Sequence, residues 1–313
     1  MRVLGTSGVK VSELCLGGNV FGWTADEEAS FAVLDAYLAG GGNFIDTADV
    51  YSRWAPGNSG GESEEIIGRW MASRKVRDQI VIATKVGKLP GREGLSAANI
   101  KAAADDSLRR LGTDRIDLYY AHADDAATPL EETLGAFDDL VRSGRARAIA
   151  ASNYDPERLA AALAISRTKG LAPYVVVQPE YNLMERAAYE AELGALVERE
   201  ALACVPYYGL AHGFLTGKYR PGRDDVDSPR ASAARAYLDE RGLAVLSVLD
   251  DLAGAHGVTP SAVSLAWLLA RPGVVAPIAS ARSVAQLEEL LPAMQLRLSP
   301  EEVERLDAAS APR

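Results

Sequence analysis

From residue 14 to the carboxyl end, short apolar runs alternate with stretches of helical periodicity. The runs fall at residues 14–16, 44–46, 79–85, 115–122, 146–151, 174–178, 202–206 and 274–278. Several helical stretches carry their own end signals. Thr24 and Glu27 have capping-box spacing, Phe31, Leu34 and Leu38 share a face, and Gly40, Gly41 and Gly42 stop the periodicity. Ser96 caps a face of Ile100, Ala104, Leu108 and Leu111 ahead of Gly112, and Thr128, Pro129 and Glu131 open a stretch with Leu134 and Phe137 on one side. Asp155 with Pro156, Thr259 with Pro260, and Ser299 with Glu302 start three more. Strands joined through helices by short connections run parallel, and eight such units close on themselves. The expectation is an α/β fold, a (β/α)8 TIM barrel, with residues 1–313 forming a single domain, since one barrel core accommodates this length. Residues 1–10, with a turn at Gly5 to Gly8, read as a β-hairpin ahead of it.

A parallel barrel opens the carboxyl ends of all its strands on one face, so residues at those ends meet. Asp46 ends the second run, and Tyr51 returns over the same place. Lys85 ends the third, and His122, one of three histidines, ends the fourth. A phenol titrates near about 10 and is a poor proton donor at neutral pH unless a cation steadies its anion. Lys85 is expected to supply that charge and draw the phenol's pKa down, with Asp46 orienting the ammonium in a dry site. With that charge beside it Tyr51 is a candidate proton donor, and His122 stands at the same rim. Singly, these residues have ordinary roles as a cap, a packed ring, a solvated charge and a satisfied polar group. At successive strand ends they form a candidate catalytic set.

With these residues in place, the sequence resembles the aldo-keto reductases. The matching pieces are Asn43 to Tyr51, Ala83 to Lys85, His122, Ala151 to Asn153, Gln178 with the residues up to Asn182, and Gly213 to Lys218, in the family's order. The resemblance implies that the amino-terminal β-hairpin closes the barrel bottom and that the cofactor is NADPH/NADP. It also implies that Ser152, Asn153 and Gln178 meet the nicotinamide amide, with Tyr207 stacked on the ring and Leu210 and Gly213 in the same site. Lys218 falls where the family contacts the pyrophosphate, and Ser280 and Arg282 where it meets the adenosine phosphate. A guanidinium there favours NADPH, because it pairs with a phosphate that NADH lacks. Gln286 has two readings, a cofactor contact or a cap with Ser283. Trp23, Trp54, Tyr208 and Phe214 are the expected walls of the substrate pocket. Three positions depart from the family pattern: Asp124-Asp125 where Pro-Asp is common, Tyr208 where serine is common, and Leu290 where asparagine is common. They bear on pocket shape and cofactor grip, leaving the four strand-end residues intact.

A net charge of −10 without a lysine- or arginine-rich block repels phosphate backbones and anionic lipid, so nucleic acid and membrane are not expected partners. The expected partner is a small-molecule carbonyl or alcohol. No long apolar span or leader is present, and a cytoplasmic location is expected. Cys15 and Cys204 lie in apolar runs and read as buried thiols, and no metal site is expected. Gly57 to Gly61 lacks the lysine of a phosphate loop, whereas the unperiodic stretch 207–232 has the length of a functional loop. His256 sits near a helix end and His212 in a loop, neither with an assigned use. The expected reaction is NADPH-dependent reduction of an aldehyde or ketone. The alternatives are a redox-sensing regulatory subunit, like the potassium-channel β-subunits the sequence also resembles, and an NADP-dependent sugar or polyol dehydrogenase.

Overall fold

The computed structural model describes residues 1–222 and 228–312. Residues 223–227 of the long loop expected at 207–232 lie outside the described residues. Among those described, eight parallel strands form one sheet: Cys15–Gly17, Phe44–Asp46, Val81–Val86, Ile116–Ala121, Ala146–Ser152, Tyr174–Gln178, Ala203–Cys204 and Ile278–Ala279. The first seven pair in chain order, each with the next, and Ile278–Ala279 pairs with Cys15–Gly17. The remaining seam closes through a parallel bridge from Cys204 to Val274 and a 2.9 Å hydrogen bond donated by the Ile278 amide to the Pro206 carbonyl. The sheet is a closed (β/α)8 barrel, as expected.

The last strand is shorter than the expected 274–278. Pro277 has no amide hydrogen to donate to a ladder, so regular pairing begins only after it. The first helix, Glu27–Ala39, is capped by Asp26, whose carboxylate accepts from the Ala29 amide. Thr24 does not form the expected capping box: the Gly22 amide donates to the Ala25 carbonyl, and this tight turn carries Thr24 away from the helix start. Likewise the Thr128 hydroxyl donates to Asp125, and the helix Leu130–Arg142 starts at Pro129. The caps at Ser96, Asp155, Thr259 and Ser299 form as their spacing predicts. The long loop holds a 3-10 segment, Ala211–Thr216, and a short helix, Ala231–Arg235. A further helix, Glu240–His256, follows it.

Strand residues alternate between two apolar layers. Cys15, Phe44, Ala83, Leu118, Tyr120, Ala150 and Val176 fill the barrel interior, while Leu16, Ile45, Ile82, Tyr119, Ala151 and Val177 face the helices. The hairpin plugs the amino end of the interior with Leu4, Val9 and Val11. Its turn passes so close to the barrel that a Cβ on Gly5, which holds φ +50°, would stand 2.3 Å from the Val175 carbonyl oxygen. Only glycine fits there. The same alternation has a consequence at the other end. Counting by twos from Phe44, Ala83, Tyr120, Ala150 and Val176 puts Asp46, Lys85, His122, Ser152 and Gln178 on the inward face at the carboxyl rim.

Candidate active site

The rim encloses a cavity of about 850 Å³, large for a small-molecule site. At its floor the Lys85 ammonium lies 2.5 Å from Asp46 Oδ1 and donates to the Tyr51 hydroxyl and to the Thr47 carbonyl, each at 2.8 Å. The Lys85 and Asp46 side chains are 0% and 1% exposed. The Tyr51 hydroxyl donates to Asp46 Oδ1 at 3.2 Å, and the Gln178 amide donates to Oδ2 at 2.9 Å. Asp46 therefore accepts from three groups, which offsets its burial.

Tyr51 differs from the expectation drawn from sequence. Burial, then the negative charge of Asp46, hold its phenol well above the ordinary value of 10, although Lys85 touches it. The physical reason is that burial penalises the phenolate most, and the Asp46 carboxylate, which also accepts the phenol's hydrogen bond, adds to it, so the lysine contact does not draw the pKa down. Tyr51 is a neutral hydroxyl with a proton to give. His122 packs edge-on to it, ring centroids 6.2 Å apart. Burial, then the charges of Lys85 and Lys88, push the imidazole well below 6.5, and its buried Nδ1 has no hydrogen-bond partner among the described residues. The ring is neutral at pH 7 and lines the cavity.

Beside this set, the amide-bearing residues are tied to one another. The Ser152 hydroxyl donates to the Gln178 carbonyl, and Asn153 Nδ2 donates to the His122 carbonyl at 2.8 Å and to Ser152 Oγ at 2.9 Å. Asn153 Oδ1 accepts from the Tyr207 hydroxyl at 2.9 Å. Asn153 holds φ +55°, a conformation asparagine tolerates better than most residues, and this turns its amide along the rim. Tyr208, Ala211 and His212 share that left-handed conformation at φ 52°, 45° and 57°. Such a run of strained residues is a feature of functional loops.

The cavity runs on past Leu210, Gly213 and Lys218 to Ser280, Arg282 and Gln286. Burial, then the charge of Arg282, lower the Lys218 pKa, and among the described residues neither cation forms an ion pair. Ser280 donates to Asn19 at 2.6 Å. Gln286 makes structural contacts, its Oε1 accepting from the Arg282 amide and its backbone amide donating to Ser283, and it also lines the cavity. Leu290 forms an apolar wall where the family pattern favours asparagine.

Trp23, Trp54 and Tyr208 line the other arm, with the two indoles edge to face at 5.6 Å and Trp54 6.0 Å from Tyr51. Phe214 does not join them. It is fully buried against Tyr237, because the left-handed turn at His212 and Gly213 rotates it into the core. Lys88, Asn19, His212, Arg230 and Glu289 line the cavity without having been singled out from the sequence as site residues. The one available signal was for Lys88, which lies three residues beyond Lys85 on the same strand-to-loop path.

Comparison with known proteins agrees with this geometry. The chain is 36% identical over 307 residues to an uncharacterized oxidoreductase, YrpG, of Bacillus subtilis, covering 95% of this chain and 92% of that protein. It is 33% identical over 306 residues to the NADP(+) aldo-keto reductase yakc of Schizosaccharomyces pombe, covering 94% and 86%. It is also 33% identical over 318 residues to a probable voltage-gated potassium channel subunit beta of Oryza sativa subsp. japonica, covering 97% and 94%. A sequence profile described as the Aldo/keto reductase family matches residues 13–311, nearly the whole barrel, and the chain belongs to that family.

Proposed function

We propose that the protein is a cytoplasmic, NADPH-dependent reductase of aldehydes or ketones, acting as one barrel domain over residues 1–313 with Tyr51 as the general acid. The observation that carries this reading is the buried contact of Lys85 with both Asp46, at 2.5 Å, and the Tyr51 hydroxyl, at 2.8 Å, on the floor of the cavity. The donor set fits a nicotinamide dinucleotide: side-chain amides and hydroxyls lie beside the floor, and two cations without ion pairs among the described residues lie at the far arm. When bound, that cofactor supplies the hydride.

The chain's own residues do the rest. Tyr51 gives its proton to the carbonyl oxygen as negative charge develops there. Lys85, already hydrogen-bonded to the phenol oxygen, stabilises the phenolate left behind, and Asp46 keeps the ammonium in line. Gln178 fixes the second oxygen of Asp46. Neutral His122 offers a ring nitrogen to the carbonyl oxygen. Ser152, Asn153 and Tyr207 present the amide and ring contacts to the nicotinamide, and Lys218, Ser280 and Arg282 meet the phosphates. Arg282 favours the phosphorylated cofactor, in keeping with the NADP(+) in the name of the fission-yeast relative.

The test is a fluorescence titration with NADPH and NADH, run beside a panel of aldehydes and ketones. The reading expects tighter binding of NADPH and its oxidation with at least one carbonyl. Absence of binding to either cofactor would remove it. A second reading, a redox-sensing regulatory subunit, is favoured by the likeness to the rice potassium channel subunit. It expects tight cofactor binding without turnover of any carbonyl or alcohol.

A further inference from the structure

Charge is matched unevenly around the cavity. On the floor, Lys85 is neutralised by Asp46. At the far arm, Lys218 and Arg282 face the phosphates of the proposed cofactor. Lys88 belongs to neither group. It stands at the rim on the short strand Lys88–Leu89, and lines the cavity together with Tyr51, Trp54 and His122. Among the described residues it forms no ion pair, and the charge acting on it is that of Lys85, another cation. Burial and that repulsion lower its pKa, and its own charge helps keep His122 neutral. Lys88 is exposed, and Glu93 faces it across the two-stranded ribbon, but that carboxylate accepts from the Gly91 amide at 2.9 Å and makes no ion pair with Lys88 among the described residues; in a chain of net charge −10 such a lysine beside a cavity is a site for an anion.

Two features narrow the anion. A single ammonium matches a single negative charge, whereas a phosphomonoester brings about 1.5 to 2 and would leave part of it unmatched. The cavity that Lys88 lines is aromatic beside Tyr51, with Trp54 6.0 Å from the Tyr51 ring and Trp23 against Trp54 at 5.6 Å. An apolar spacer therefore packs between the reacting carbonyl and the charge.

We propose that the physiological substrate is an aldehyde or ketone carrying a carboxylate, which pairs with Lys88 at the rim while its apolar body packs against Trp54. This rests on the carbonyl-reductase reading above. In the step, the carbonyl carbon takes the hydride and the nicotinamide is oxidised. The carbonyl oxygen takes the Tyr51 proton, and the carboxylate leaves unchanged, so the product is a hydroxy acid.

The experiment compares para-carboxybenzaldehyde with its methyl ester, using NADPH, in the wild-type protein and in Lys88→Met and Lys88→Arg. The expected result is a preference of about tenfold in kcat/KM for the acid over the ester. Lys88→Met abolishes that preference, with the loss carried by KM, and Lys88→Arg retains it. Turnover of both aldehydes at equal efficiency by the wild type would overturn the inference and leave the reductase reading standing. So would a Lys88→Met variant that loses kcat equally on both, because Lys88 would then act on the chemistry rather than on the carboxylate. Failure of both aldehydes and of every other carbonyl would remove the reductase reading, and this inference with it.

Discussion

The ammonium of Lys85 and the carboxylate of Asp46 meet at 2.5 Å with both side chains closed to solvent. Two charges so placed nearly cancel at a distance, while each alone would be an uncompensated buried ion. Removing one partner of such a pair costs about 3–5 kcal/mol. Lys85→Met and Asp46→Asn are each expected to lose stability of that order in urea denaturation, and the double variant to recover most of it. Additive losses in the double variant would mean that the pair is not coupled as its geometry indicates.

The pH dependence of reduction follows from the directions of two shifts. The folded Tyr51 phenol lies above 10, so its proton is present throughout neutral and mildly alkaline pH, and the folded His122 imidazole lies below 6.5, so it is neutral there. The rate of reduction at saturating cofactor is expected to stay flat between 6.5 and 10 as far as these groups are concerned. Alcohol oxidation needs the phenolate and is expected to rise across the same range. A reduction rate that falls with a midpoint near neutrality would show that the acid is a group other than Tyr51.

Asp49 offers a separate test on stability. It is buried beside Glu64, both its oxygens lack hydrogen-bond partners among the described residues, and burial, then the Glu64 charge, raise its pKa from 3.8 to about 7. An acid raised on folding binds its proton more tightly in the folded state. Its contribution is therefore most favourable below 3.8, declines as pH rises through the window up to about 7, and is level above it. A shift of that size corresponds to roughly 4 kcal/mol. Asp49→Asn removes the penalty, so its advantage over the wild type in chemical denaturation is expected to grow from near zero at the acid end to a plateau above neutrality. An advantage independent of pH would rule out Asp49 as its source.

The phosphate end of the cavity is tested by Arg282→Ala. A charge-assisted contact to a phosphate is worth about 1.5–3 kcal/mol, or roughly ten- to a hundredfold in affinity. The ratio of NADPH to NADH affinity is expected to fall by that factor in fluorescence titrations. A ratio that stays put would move the discrimination to Lys218 or Ser280.

Much of this was legible in the sequence because strand ends are. A period of two, carried from Phe44 to Asp46 and from Ala83 to Lys85, is enough to send both charged side chains inward at the rim, and His122 follows from Tyr120 in the same way. What the chain does not state locally was missed. The spacing of Thr24 and Glu27 suggests a cap that the turn between Gly22 and Ala25 removes, and Asp26 takes the position instead. Phe214 looks like a pocket aromatic until the left-handed residues before it point it at Tyr237. The sign of the Tyr51 shift depends on how deeply the phenol is buried and on its contact with Asp46, neither of which residue order encodes. Lys88 carries no periodic signal, since it lies just past the strand that does.

The measurement that bears most directly on Tyr51 as the general acid is single-turnover oxidation of bound NADPH by an aldehyde in wild type and in Tyr51→Phe, after cofactor affinity has been matched by titration. Loss of a positioned acid is expected to slow hydride transfer by about a hundred- to ten-thousandfold, with NADPH still bound. A Tyr51→Phe variant that binds NADPH and transfers hydride within a fewfold of the wild-type rate would contradict the account.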